Sequence, residues 1–329
     1  MSAEERSSIE NGIWLCGSCS TVIDRDAVRF TVEALQNMKR DHTEFVRLGE
    51  QNLGEVDIIA IGPDLVAAGQ VTRFGPTGVQ LRIAFFIHGT PQDLMVFVQD
   101  FEKRTPLSRY IVLADLGRGG LLLEAPTIEQ HDSTRYLSFR WQSAAPRRDA
   151  SQPIAGVSAQ TGRIITGFDY LVQTFEQCLG HAKGSWFASL DGGSYVSELY
   201  WRFKDSPWFA QLLKVEVARL SSIPSSSSLG LPDNGYPPLL CVNQVHSVRV
   251  PSFDLDGNRK LRVELDLELE GHGRWSGDLL VYIYDPNGLE LERAKAVWMK
   301  ENIRRIESGG NSLPTMLPPE GWRIEDGFP

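Results

Sequence analysis

Apolar residues along this chain fall into short branched runs separated by stretches of helical spacing. Val56 to Ile61 and Val79 to Ile87 are rich in Val and Ile, a composition that suits a pleated, half-buried surface, and both are predicted strands. Thr90-Pro91-Gln92-Asp93 then carries the marks of a helix start. Thr90 is the N-cap, Pro91 fits the first helical position, and Asp93 complements the positive end of the helix. Leu94, Phe97, Val98 and Phe101 form its inward stripe. Three strand-like runs follow: Tyr110 to Leu116, Gly120 to Glu124 and Tyr136 to Trp141.

The second half opens with a helix whose Phe168, Leu171, Val172, Phe175 and Leu179 share a face, with Thr166 as N-cap and Gly180 as stop. A short helix is predicted from Val196 to Phe203. Another starts at Ser206-Pro207 and turns Phe209, Leu212, Leu213, Val217 and Leu220 inward. Val245 to Val250 and Leu261 to Leu269 read as strands. The latter alternates strictly, which places Arg262, Glu264, Asp266, Glu268 and Glu270 on its wet face. Leu289 to Ile306 reads as a helix with Ala294, Val297, Trp298 and Ile306 inward. The order of elements makes this an α+β, multidomain chain.

Turn-forming residues punctuate that pattern. Gly49 to Gly54 reads as a hinge, Ala144 to Gly162 as a linker, and Ile223 to Pro238 as a Ser/Pro/Gly-rich insertion. Four segments are expected: 1–48, a finger and helix; 55–143, a mixed α/β domain; 157–285, an α+β domain; and 286–329, a helix with an irregular tail. A length of 329 residues is enough to give the domains real cores. The four cysteines include only one close pair, which speaks against a disulfide scaffold and for a reducing, cytoplasmic setting. No apolar run is long enough to span a bilayer, so no membrane partner is expected. The net charge of −9 leaves no broad phosphate-neutralising footprint, so any contact with DNA must be local.

Candidate chemistry concentrates between Asn11 and Asp24. A polar turn at Asn11-Gly12 feeds the apolar run Ile13 to Leu15, and Cys16 and Cys19 follow at C-x-x-C spacing. Two thiolates so placed can grip one tetrahedral zinc, and the same spacing also suits a turn with no metal. Asp24 and Asp26 come next, and Thr31 opens a helix with Leu35, Met38, His42 and Phe45 on one face. Elsewhere, His88 beside Gly89 and His131 beside Asp132 read as loop residues. Asp254-Leu255-Asp256-Gly257-Asn258 reads as a hairpin turn, because the later ligands of a calcium loop are missing.

The order Asn-Gly-Ile-Trp-Leu-Cys-x-x-Cys, an acidic residue, then a helix, resembles the second half of the HNH (ββα-metal) endonuclease finger over roughly residues 7–46. The resemblance implies that Asn11 orients a catalytic His, that Cys16 and Cys19 are half of a structural-zinc knuckle, and that Asp24 stands near the last metal-ligand position. It further implies DNA as a partner and magnesium as the metal of an active nuclease. The family's general-base His lies upstream of the Asn, whereas no His precedes His42 here, and its second cysteine pair is absent. The expectation is therefore an HNH-related protein, catalytically impaired as written, with weak or partial zinc and a place in phage conflict.

A second resemblance covers residues 157–271. Thr161, Gly162, Gly167, Leu171, Gln173, Gly184, Ser185, Gly193 and Ser194 follow the order of the lysozyme-like baseplate wedge family of contractile phage tails. That likeness implies helices packed on a terminal strand pair. It also implies a structural role, docking a protein partner or a second copy of the chain.

Overall fold

The computed structural model describes residues 56–75, 78–131, 134–142, 148–150, 155–187, 189–190, 192–225 and 235–307, with isolated positions between 23 and 39 and residue 319. These residues form both helices and sheets, as an α+β chain should.

The first half is a barrel. Strands β1 (Asp57–Ile61), β2 (Leu65–Gly75) and β3 (Gly78–His88) pair antiparallel in chain order. β4 (Tyr110–Leu113) returns to the other edge of β1, and β5 (Arg118–Leu122) pairs with β4. β6 (Thr127–His131) and β7 (Thr134–Phe139) form a hairpin whose second strand pairs with β3. After Arg140 alone, β8 (Trp141–Gln142) pairs with β5. One run of chain, 134–142, thus bonds β3 along one side and β5 along the other, so the sheet closes on itself and removes two of its edges.

Alternation along each strand sorts the barrel's side chains between two cores. Ile59, Ile61, Ala67, Leu81, Ile111 and Leu113 point inside, where Leu94, Phe97 and Phe101 fill the space. Leu94 and Phe97 come from α1 (Pro91–Gln99), whose Thr90 hydroxyl accepts the N–H of Asp93 at 3.2 Å, as its cap chemistry predicts. Ile58, Ala60, Ala68, Phe85, Tyr110 and Val112 point outward, and the rest of the chain buries them.

That covering begins with a ribbon of β9 (Ala155–Val157) and β10 (Ile164–Thr166), followed by α2 (Phe168–Gly180), α3 (Val196–Phe203) and α4 (Phe209–Ser222). A three-stranded antiparallel sheet follows, β11 (Val242–Arg249), β12 (Lys260–Leu269) and β13 (Gly273–Tyr282), and then α5 (Pro286–Glu307). Helix α4 is the centre of the molecule. It packs against β1, β4 and β5 on one side and β11 on the other, and every residue from Val215 to Ser222 is buried. Barrel and helical layer are also joined directly. The Val245 N–H donates to the Gly117 carbonyl at 2.9 Å. Gly117 has φ +59, and a Cβ there would lie 1.9 Å from the Val245 oxygen, so only glycine fits.

Several expectations need correction. β2 and β13, two of the longest strands, have no counterpart in the sequence reading. The N-cap of α2 is Gly167, at φ +63, not Thr166, which ends β10. Within the stretch expected to be a linker, Arg148 and Ala150 donate backbone hydrogen bonds to Leu240 and Glu270, and residues 155–157 are a strand. His88 and His131 are not loop residues: they end β3 and β6. At 254–258 a turn does precede β12, where the Asp256 carboxylate accepts the N–H groups of Asn258 and Lys260, each at 2.8 Å.

Candidate functional site

A cleft of about 360 Å³ opens between the outer face of the barrel and helices α3, α4 and α5. Its walls are mostly apolar, with Ala60 and Val66 from the barrel and Leu199, Phe203 and Leu212 from the helices. Its floor holds an ion pair. Arg219 donates from Nε and Nη2 to the two oxygens of Glu216, at 2.8 and 2.7 Å, and from Nη2 to the Gly193 carbonyl at 2.8 Å. Glu216 also accepts the Tyr195 N–H at 2.8 Å. Glu216 is 4 % exposed and Arg219 7 %. Burial works against the guanidinium charge, but the adjacent Glu216 outweighs it and holds the Arg219 pKa above its ordinary value. The interior tolerates the pair because each partner completes the other's hydrogen bonds.

Two tyrosines and a second acid–base pair surround that floor. Tyr110 reaches the cleft from β4, and burial keeps its hydroxyl protonated far beyond neutral pH. Burial pushes the Tyr195 hydroxyl up to about 12, and the Arg219 guanidinium lies over its ring at 5.4 Å. Glu198 on α3 pairs with Arg293 of α5, which also donates to the Lys183 carbonyl at 2.8 Å. Burial raises the Glu198 carboxyl, and Arg293 offsets this only in part. At the mouth, Arg202 meets His88 Nδ1 at 3.0 Å. Burial and then the Arg202 charge lower the His88 pKa. His88 is therefore neutral, accepting at Nδ1 and carrying its proton on Nε2.

The residues singled out by motif stand elsewhere. Asn11, Cys16 and Cys19 lie outside the described residues. Asp24 is described and is exposed, in a helical stretch at 23–25. Among the described residues, no group of three or more His, Cys, Asp or Glu side chains is placed to hold a metal ion. Cys178 and Cys241 are free thiols, pushed by burial up to about 12 and about 11, too high for a reactive thiolate. Among the described residues, no helix is long and apolar enough to cross a membrane.

The cleft residues themselves were legible only in part. Phe209, Leu213, Glu216 and Leu220 follow helical spacing on α4, so Glu216 occupies a position of the apolar stripe. A charge at such a position signals a buried, paired group. Tyr110 carries no comparable signal, since an aromatic residue opening a strand is ordinary core. Compared with protein-family models, with curated proteins and with solved structures, the chain finds no match.

Proposed function

We propose that the folded body of this chain is a ligand-binding protein that holds a small molecule in the cleft between the barrel and helices α3–α5. One observation carries this reading: polar side chains converge on an apolar-walled space whose volume falls in the range of small-molecule sites. Perturbed ionisable groups in such a cleft make it a candidate functional site. The test is a thermal-shift screen of small molecules against the wild-type chain and Leu199→Trp, which fills the cleft from α3. Ligands that raise the wild-type melting temperature should lose that effect in the variant while its own melting temperature holds. Stabilisation that survives the filled cleft would place binding elsewhere.

A second reading rests on the order Asn11, Cys16, Cys19, Asp24. In it the N-terminal segment is an HNH-related finger, catalytically impaired, with weakly held zinc and local contact to DNA in the cytoplasm. The wedge-like stretch 157–271 then docks a protein partner or a second copy. A His-activated water and a divalent metal are both needed for such cleavage. Supercoiled plasmid with magnesium or manganese should therefore stay intact. Nicking by wild type that Asn11→Ala and Asp24→Ala both abolish would instead reveal an active nuclease, with His42 the first candidate base.

A further inference from the structure

We infer that the cleft takes an organic anion, with its charged head on Tyr110, Tyr195 and Arg219 and its apolar body along the walls of α3 and β2–β3. This rests on the reading of the cleft as a binding site and adds the chemical class of the ligand.

Arg219 spends Nε and Nη2 on Glu216 and Gly193, while the two N–H groups of Nη1 have no hydrogen-bond acceptor among the described residues. The Tyr110 and Tyr195 hydroxyls likewise have none. Tyr110 is 4 % exposed, yet its hydroxyl is not among the sealed polar atoms, and the cleft is the opening that it lines. Tyr110, Tyr195, Glu216 and Arg219 all line this cleft, and the Arg219 guanidinium lies over the Tyr195 ring at 5.4 Å.

The carboxylates are already engaged or enclosed. Both oxygens of Glu216 are occupied, by Arg219 and the Tyr195 N–H. On Glu198, one oxygen takes Arg293 and the other is sealed in protein, out of reach of a ligand. At the mouth, Arg202 adds a charge and His88 a further N–H. The cleft therefore presents unspent donors and no free carboxylate. A cation would find no free carboxylate to neutralise it. A neutral ring would leave the donors dry and unpaired, which buried polar groups do not tolerate cheaply. Anionic oxygens, carboxylate or phosphate, satisfy all three donors, and charge-assisted bonds of this kind are the strong ones. The tyrosines, protonated throughout the neutral range, are donors at any working pH. Ala60, Val66, Ile87, Leu199, Phe203 and Leu212 supply the apolar walls that make the ligand organic rather than a bare ion.

The test keeps one ring and changes its head. Titration calorimetry of the full chain with 1-naphthyl phosphate, 1-naphthoate and neutral 1-naphthol should show at least one anion binding about tenfold or more tightly than the alcohol. Whichever anion binds tighter identifies the head group. Tyr110→Phe and Tyr195→Phe should each cut the anion's affinity by about tenfold while leaving naphthol unchanged. Neither should lower the melting temperature, because each deletes a hydroxyl that no protein group uses. Arg202→Gln, at the exposed mouth, should weaken the anion by a smaller factor that shrinks with added salt. Equal binding of anion and alcohol, or an anion preference untouched by both tyrosine variants, overturns the inference but leaves the cleft a binding site. If none of the three compounds binds, both the inference and the cleft reading fall.

Discussion

The barrel is packed from two sides, and its two cores are built on opposite principles. Inside, Leu81, Phe97, Phe101, Ile111 and their neighbours form a cluster of apolar side chains closed by helix α1. Outside, the same strands face α4, where Glu216, Arg219, Ser221 and Ser222 are all buried among apolar groups. An apolar core is tolerant, since volume and pattern decide most of its stability. A core that includes charges is not, because each group depends on specific partners. The contrast assigns tolerant packing to the barrel interior and partner-dependent packing to its outer face, where the cleft opens.

Substitutions can separate those assignments. Arg219→Met leaves Glu216 buried without its partner and should cost about 3–5 kcal/mol of stability; any residual folded protein should lose affinity for organic anions. Phe97→Ala should cost a comparable amount, about 3–5 kcal/mol, through the cavity it leaves. It should not change the affinity of whatever fraction stays folded. Denaturant unfolding paired with ligand titration distinguishes the two. If Phe97→Ala alters affinity as much as Arg219→Met, the division between the cores is wrong.

Asp57 sharpens the comparison through pH. Burial, then the nearby Asp115 carboxylate, push it up to about 7, although its Oδ1 accepts the Asp115 N–H at 2.8 Å. Its Oδ2 is buried without a hydrogen-bond partner. The folded pKa lies above the unfolded one, so the folded state binds the proton more tightly. The associated stability is fully present below about pH 4 and lost as pH rises through about 7. Asp57→Asn removes that loss, and at pH 8 it should be more stable than wild type by roughly 2–4 kcal/mol. At pH 4 the two should melt together. A wild-type protein whose stability is flat between these limits would show that Asp57 stays ionised.

The smallest effect belongs to the interior's lid. Thr90→Ala deletes the cap of α1 and should cost about 1 kcal/mol by denaturant unfolding, with no change in ligand affinity. A loss of affinity would mean that α1 holds the cleft as well as the barrel.

What the sequence made legible follows from how many faces an element buries. α1 has one buried stripe and a cap, and both were evident from residue identity. β12 alternates strictly because one face is wet, and its polar positions are indeed the less buried ones. β2 escaped because it lies between two cores. Its Leu65-Val66-Ala67-Ala68-Gly69 run has no period of two, and Ala and Gly are chosen for close approach rather than strand preference. At Gly69 a Cβ would lie 2.4 Å from the Arg82 carbonyl oxygen. β13 alternates only weakly, with Gly, Ser and Arg in its first half. The cleft was hidden for a different reason. Its donors come from β4, the loop before α3, and α4, which only the packing of α4 brings together, and no local spacing encodes that meeting. The motif around Cys16 and Cys19 was conspicuous because its chemistry is local.

The position of α4 has a consequence for synthesis. A ribosome delivers the barrel strands long before Phe209–Ser222 emerges. Until then the outward side chains Ile58, Phe85 and Val112 have no cover from α4, so the nascent barrel presents a sticky apolar face to the cell. Translation pauses between the barrel and α4 should therefore lengthen its exposure to chaperones and to other nascent chains, whereas a pause after β11 should matter little.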